Sequence, residues 1–443
     1  MPLEALPPRP GHGMTAEFNL ENLHQSIDVE QQEPRPLRTL PAEWAPQSAI
    51  LIAWPHAATD WADILDEVTE CYVRLAYEIA VRQPLVILTV KGLELEAYLS
   101  KQLPQAVMQN IHFVIVSTTN DTWVRDYGFL TVQSTGGAEL MDFRFNGWGG
   151  KFHADHDNAA NKLLFATNLM RGHYVDALDF ELEGGGIESD GRGTLLTTAE
   201  CLLNSNRRRQ GDAVPTPDKA QVESLLKERL GVERVLWLHH GYLAGDDTDS
   251  HIDTLARLCP NDTIVYVQCT DTEDEHYEAL AAMERELQAF RTLEDKPYRL
   301  VPVPLPDACY DEGERLPATY ANFLIMNKAV LVPTYAQSEK DTLALKTIQT
   351  AFPEHEIVGV DCRALIRQHC NSFRVGKGAT KFASLHGFEM TNMLTKRAKK
   401  RWQKRCKEIE QQNLNPYDGH DTVGAITLDK NNSMAAATST SGL

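Results

Sequence analysis

Short apolar runs alternate with longer amphipathic stretches from about residue 38 to about residue 369. Ala49–Trp54 (AILIAW) predicts a buried strand, and Leu85–Val90 (LVILTV) and Ile111–Val116 (IHFVIV) predict the next two. Leu195–Thr198, Arg234–Leu238, Thr263–Gln268 and Ala329–Pro333 continue the series. Between them, Trp61–Arg82 places Ile64, Val68, Tyr72, Leu75 and Ile79 on one face of a helix. Lys219–Arg229 and Glu339–Phe352 read as further helices. Strands that alternate with helices predict an α/β fold. No exact repeat and no Pro/Gly/Ser linker divides this region, so 38–370 reads as one domain.

The two ends break the rhythm. Residues 1–37 form a proline-containing leader with the polar run Glu30-Gln31-Gln32-Glu33, and Met14 is an alternative start. Beyond Cys370, residues 371–443 read as a divergent, disordered tail. It carries the basic run KRAKKRWQKRCK (396–407) and ends in small polar residues.

Composition narrows the function. The chain has 443 residues, 42% hydrophobic and 24% charged, as in soluble globular proteins. No apolar run approaches the ~18–20 residues of a membrane span, and the N-terminus lacks a secretory pattern. Cytoplasmic residence is the expectation. The eight cysteines are scattered with no CxxC pair, which argues against a zinc ribbon and a disulfide framework. They read as buried small hydrophobes. A net charge of −19 disfavours nucleic acid and attracts small cations. Self-association is compatible with the sequence but not specified by it.

Four segments are too polar for a core. Asn120–Gly128 (NDTWVRDYG) follows a strand, where α/β proteins place binding loops. Its carboxylate and aromatic ring suit a planar cation, although Arg125 and Asp126 could equally be ion-pair partners at a turn. Glu183–Gly191 (EGGGIESDG) has three glycines flanked by acids. This disfavours phosphate and suits a cation with Glu183 as acceptor, the alternative being a tight hairpin turn. His239–Asp253 (HHGYLAGDDTDSHID) places His251 and Asp253 two apart, on one side of an extended segment. An imidazole beside a carboxylate can transfer protons. A metal site is the rival, since His and Asp are good ligands, but the absence of a zinc signature argues against it. Asp246, Asp247 and Asp249 read as turn residues. Leu316–Phe323 suggests a shaped loop before a strand.

Together these segments, with LPAEWAPQSAILIAWPH (Leu40–His56), FNGWGGK (Phe145–Lys151) and YANFLIMNKAVLVP (Tyr320–Pro333), resemble agmatine deiminases and bacterial-type peptidyl-arginine deiminases. The resemblance spans Leu40 to His369. It implies the pentein fold, a five-bladed α/β propeller with pseudo-fivefold symmetry around one site. It implies conversion of agmatine, a small cationic guanidine, to N-carbamoylputrescine and ammonia, without cofactor. By motif position, Asp126 and Asp253 would hold the guanidinium. His251 would act as acid and base, Glu183 would add a contact at the substrate nitrogens, and Trp123 would line the pocket. Protein-bound arginine is the alternative substrate.

The departure is at the nucleophile. Members of the family carry a cysteine in a segment resembling IRQxGSLHC. Here IRQH (Ile366–His369) leads into Cys370-Asn371-Ser372-Phe373-Arg374. A gapless match puts Arg374 at the cysteine position. The later echo Ser384-Leu385-His386-Gly387 puts Gly387 there. Cys370 is a candidate substitute, yet it stands four residues early, roughly 13 Å along an extended chain. An altered reading of the 3′ end, and a relative that binds guanidines without turnover, are the competing explanations.

Overall fold

The computed structural model describes residues 38–207, 218–311 and 313–367, together with the backbone of Val423–Leu428 and Met434–Ser439. The leader, Cys370 and, apart from those two strands, the tail lie outside the described residues. The two tail strands pair antiparallel, from Val423 opposite Ser439 to Leu428 opposite Met434.

One unit, strand–helix–parallel strand, occurs five times among the described residues. Ile50–Ala53 runs through Leu65–Ala80 to Leu85–Thr89, which also pairs parallel with Ile111–Ile115. Gly137–Arg144 reaches His173–Glu181 through Asp155–Ala166. Thr194–Thr198 reaches Arg234–Leu238 through Lys219–Leu230. Thr263–Gln268 reaches Arg299–Pro304 through Tyr277–Ala289, and Ala329–Thr334 reaches Glu356–Asp361 through Ser338–Ala351. Each unit has its own sheet of three or four strands. Parallel pairing demands a crossover, and the amphipathic helices supply it. Leu85–Thr89 is buried at all five positions, which explains its continuous apolar run.

The helix anticipated over Trp61–Arg82 is shorter. A 3-10 turn, Ala62–Ile64, precedes the α-helix Leu65–Ala80. Val68, Tyr72 and Ile79 are buried as the periodicity requires.

In the second, third, fourth and fifth units an antiparallel strand leads into the parallel pair. These strands are Leu130–Ser134, Ile187–Ser189, Ala256–Cys259 and Leu324–Ile325. Just before the first three stand single helical turns: Val124–Tyr127, Gly184–Gly186 and Ile252–Leu255. The polar segments of the sequence therefore occupy equivalent places in successive units.

Candidate active site

Asp126 lies inside the turn Val124–Tyr127, a helical turn and not an open loop. The preceding segment is tied down by Asp157, whose carboxylate accepts the backbone N–H groups of Asn120 (2.8 Å) and Asp121 (3.3 Å). Asn161 donates to the Tyr127 carbonyl at 2.7 Å. Asp126 itself is buried. Its Oδ2 accepts the Trp148 indole N–H at 2.9 Å, and its Oδ1 accepts the Gly185 N–H at 2.9 Å.

The His251–Asp253 segment is not extended, contrary to its sequence reading. His251 caps the N-terminus of Ile252–Leu255, with φ −52° and ψ 138°, and Asp253 lies within that turn. Period-two alternation fails because the chain coils immediately after the histidine. Both side chains nevertheless reach one place. A Cβ built on Gly185 would lie 2.6 Å from Asp126 Oδ1, 2.6 Å from His251 Nδ1 and 3.0 Å from Asp253 Oδ2. The three groups thus converge beside Gly185, so closely that a side chain at residue 185 would collide with them. Gly184 has its own requirement, since a Cβ there would meet the Arg125 carbonyl oxygen at 2.3 Å. The glycine run is a 3-10 turn and not a hairpin.

The other edge of the imidazole faces Glu183. His251 Nε2 is 3.3 Å from Glu183 Oε2, and Nδ1 is 3.6 Å from Asp126 Oδ1. Glu183 Oε2 also accepts Arg207 Nε–H at 2.9 Å, with the Cys201 thiol 3.8 Å away. Trp123 packs its indole on Trp61 at 5.8 Å, and the indole that touches Asp126 is that of Trp148. Arg125 behaves as an ion-pair residue, next to Glu43 and 3.5 Å from both Glu188 and Asp253 Oδ2. Asp253 therefore already faces a guanidinium group in the free site.

Comparison with known proteins fits this geometry. Residues 39–373 match the Porphyromonas-type peptidyl-arginine deiminase family. The agmatine deiminase of Stutzerimonas stutzeri (strain A1501) is 30% identical over 350 residues, which is 74% of this chain and 91% of that protein. The C. jejuni agmatine deiminase, solved as a cysteine-to-serine variant with substrate bound, is 36% identical. Its TM-score is 0.67, over 75% of this chain and 93% of that one. The chain belongs to this deiminase family. The Enterococcus faecalis agmatine deiminase structure is 28% identical with a TM-score of 0.65, over 75% of this chain and 93% of that one. Residues 361–443 match a different family, described as asparaginase. The deiminase match thus ends at residue 373, and the two matches overlap over residues 361–373.

Buried carboxylates surround the imidazole of this candidate site. Burial raises the Asp126 carboxyl, partly offset by the His251 charge, while Asp253 and Glu183 push it further up. Burial pushes His251 down, but the Asp126 charge, the neighbouring Cys201 and then the Glu183 hydrogen bond outweigh it and raise the imidazole well above its ordinary value. Glu183 is lowered, because His251 and Arg207 overcome the penalty of burial. Near neutral pH the pair is imidazolium and carboxylate. Burial raises Cys201, so its thiol stays neutral.

Glu183, Cys201 and His251 bring possible ligand atoms within 4.8 Å of one another. Glu183 in this group is already held by Arg207 Nε–H at 2.9 Å, an ion pair that a metal would have to displace. Cys201 is not placed to attack at the converging point. It lies on the Glu183 edge of the imidazole, whereas the Asp126–Asp253 point lies on the Nδ1 edge. The three atoms nearest that point belong to Asp126, His251 and Asp253.

Sequence reading missed Trp148, Cys201 and Arg207. Trp148 lies in a motif quoted for the resemblance, at an unusual φ of 53° between two glycines of positive φ. The density of Trp and Gly in FNGWGGK was the available signal. Cys201 lies at the end of the glycine-rich stretch Leu182–Asn204 that carries the resemblance, whereas Arg207 lies just beyond it and had no signal. Asp246, read as a turn residue, is one, accepting from Thr248 Oγ1 (2.6 Å) and Ser250 N (2.8 Å).

Proposed function

We propose that this site holds the guanidinium of agmatine or a close analogue, with the chemistry of agmatine deiminases. The observation that carries the reading is the convergence of Asp126, Asp253 and His251 on one point within 3.0 Å. Two carboxylates accept paired N–H bonds from a planar cation and fix its carbon. Trp148 and the Gly185 N–H hold Asp126 in orientation. On this reading the five units form the five-bladed pentein propeller about the site.

In the full reaction a cysteine thiolate adds to the guanidinium carbon. Protonated His251 gives its proton to the departing nitrogen, which leaves as ammonia. The thiouronium intermediate is then attacked by water, with neutral His251 taking the proton. N-carbamoylputrescine and the free thiol result. Glu183, 3.3 Å from Nε2, supports the imidazolium that gives the proton in the first step and is regenerated in the second.

Binding without turnover is the second reading, and one observation favours it. The deiminase match stops at residue 373, and the described cysteine nearest the site, Cys201, faces the wrong edge of the imidazole. Ammonia release from agmatine by the 443-residue chain, beside Cys370→Ala and Gly387→Cys, separates the readings. Activity in the parent that Cys370→Ala abolishes assigns the nucleophile to Cys370. An inactive parent that binds agmatine in calorimetry, with activity gained in Gly387→Cys, supports a binding-only chain. No agmatine binding by any form refutes the proposed site. Citrulline formed in an arginine-containing peptide, with agmatine untouched, would replace the substrate.

A further inference from the structure

The chain entering His251 is strained. Asp249 and Ser250 have φ of 61° each, two consecutive non-glycine residues in the left-handed region. Such residues persist where surrounding contacts over-determine them. Here the Asp249 carboxylate is held from three sides. Lys151 Nζ donates to Oδ1 at 2.7 Å, while Asn206 Nδ2 and Arg207 Nη1 donate to Oδ2 at 2.9 and 2.5 Å. Lys151 also reaches the Asp247 carbonyl at 2.7 Å.

Arg207 joins this corner to the proton-transfer pair. Its Nε donates to Glu183 Oε2 (2.9 Å), its Nη1 to Asp249, and its Nη2 to the Thr248 carbonyl (2.7 Å). Each nitrogen of the fork has a different partner, so one rigid group fixes the angle between Glu183 and the corner that presents His251. The guanidinium side chain is 3% exposed, which keeps its charge unscreened.

We propose that Arg207 is a positioning residue. It holds the strained Asp249–Ser250 corner that delivers His251, and it keeps Glu183 as the carboxylate partner of that imidazole. This rests on the proton-transfer role assigned above to His251. The groups facing the pair are Asp126, Asp253, Cys201, Glu181 and Arg207, with Lys151 reaching it through Asp249. Arg207 is the cation among them that touches Glu183 directly.

The test uses the full-length protein without ligand, labelled at histidine and read by NMR. His251→Gln assigns the His251 resonance. Arg207→Met removes a cation from the pair and moves the His251 titration upward. Arg207→Lys restores charge and returns it most of the way. Thermal melts run alongside check folding. A Met variant that titrates with the parent overturns the proposal. So does an equal displacement in Met and Lys, which would be a packing effect. Where Arg207→Met does not fold, Asp249→Asn carries the test. It removes the charge from the corner and should broaden or shift the His251 resonance, and an unchanged resonance overturns the proposal. Agmatine plays no part in these readings, so absent agmatine binding would refute the proposed function separately.

Discussion

Adding one methyl group at residue 185 should close the site while sparing the fold. In Gly185→Ala the Cβ would stand 2.6 Å from Asp126 Oδ1 and His251 Nδ1, and 3.0 Å from Asp253 Oδ2. Relaxed contacts of carbon require about 3.5 Å, so the shortfall is roughly 0.9 Å at the two nearest atoms. Gly185 does not use a left-handed backbone, so alanine carries no φ penalty there. Its N–H, bonded to Asp126 at 2.9 Å, is retained. The strain should cost about 1–3 kcal/mol of stability, as overpacking does. Binding should suffer more, because the methyl stands where a guanidinium would meet both carboxylates. Loss of two charge-assisted hydrogen bonds, each worth about 1.5–3 kcal/mol, predicts agmatine affinity weaker by a factor of about 10²–10⁴. Isothermal titration with agmatine measures this, beside a thermal melt. Affinity within threefold of a binding-competent parent would mean that the guanidinium sits elsewhere, and would refute the convergence argument.

Trp148→Phe keeps the ring but removes the N–H that Asp126 Oδ2 accepts at 2.9 Å, so agmatine affinity should fall about 10–100-fold with little change in melting. Similar affinity in the variant would show that Asp126 needs no such support. Asp126 is raised by burial, so agmatine binding should weaken, on acidification, at a pH above the ordinary carboxylate range. Calorimetry in buffers of different ionisation heat should there detect proton release on binding. Proton-free binding throughout that range would contradict an ion pair at Asp126. Stability should also follow the His251–Glu183 pair. The raised imidazole contributes stability fully present below its unfolded value and lost as pH rises through its folded one. The lowered Glu183 contributes stability present above its unfolded value and lost as pH falls through its folded one. His251→Gln should remove the alkaline decline in melting temperature, and a curve parallel to the parent's would count against the coupling. Arg257 is buried between Glu188 (2.5 Å) and Glu43 (2.5 Å), so Arg257→Met should cost about 3–5 kcal/mol by leaving buried carboxylates unpaired. Unchanged melting would show that this network is not needed.

Much of the molecule was legible in the chain itself. The buried strands were readable because parallel strands covered on both faces are continuous apolar runs, as in Leu85–Thr89. Asp126, Glu183, His251 and Asp253 stood out because charged residues in glycine-rich segments have no place in a core. The fivefold recurrence of strand, helix and parallel strand left no exact repeat, because packing preserves topology and burial with differing side chains.

Tertiary structure decided how those residues meet. His251 and Asp253 share a site although their segment coils, since the two-residue spacing does not fix orientation once a helical turn begins at Ile252. Trp148, Cys201 and Arg207 join through contacts with partners 18 to 42 residues distant along the chain, which no local pattern encodes. Arg125, adjacent to Asp126, joins the Glu43–Glu188–Arg257 network and reaches Asp253 at 3.5 Å. A sequence names the charges a chain carries. Only the packing of distant turns settles which are paired with each other and which converge beside Gly185.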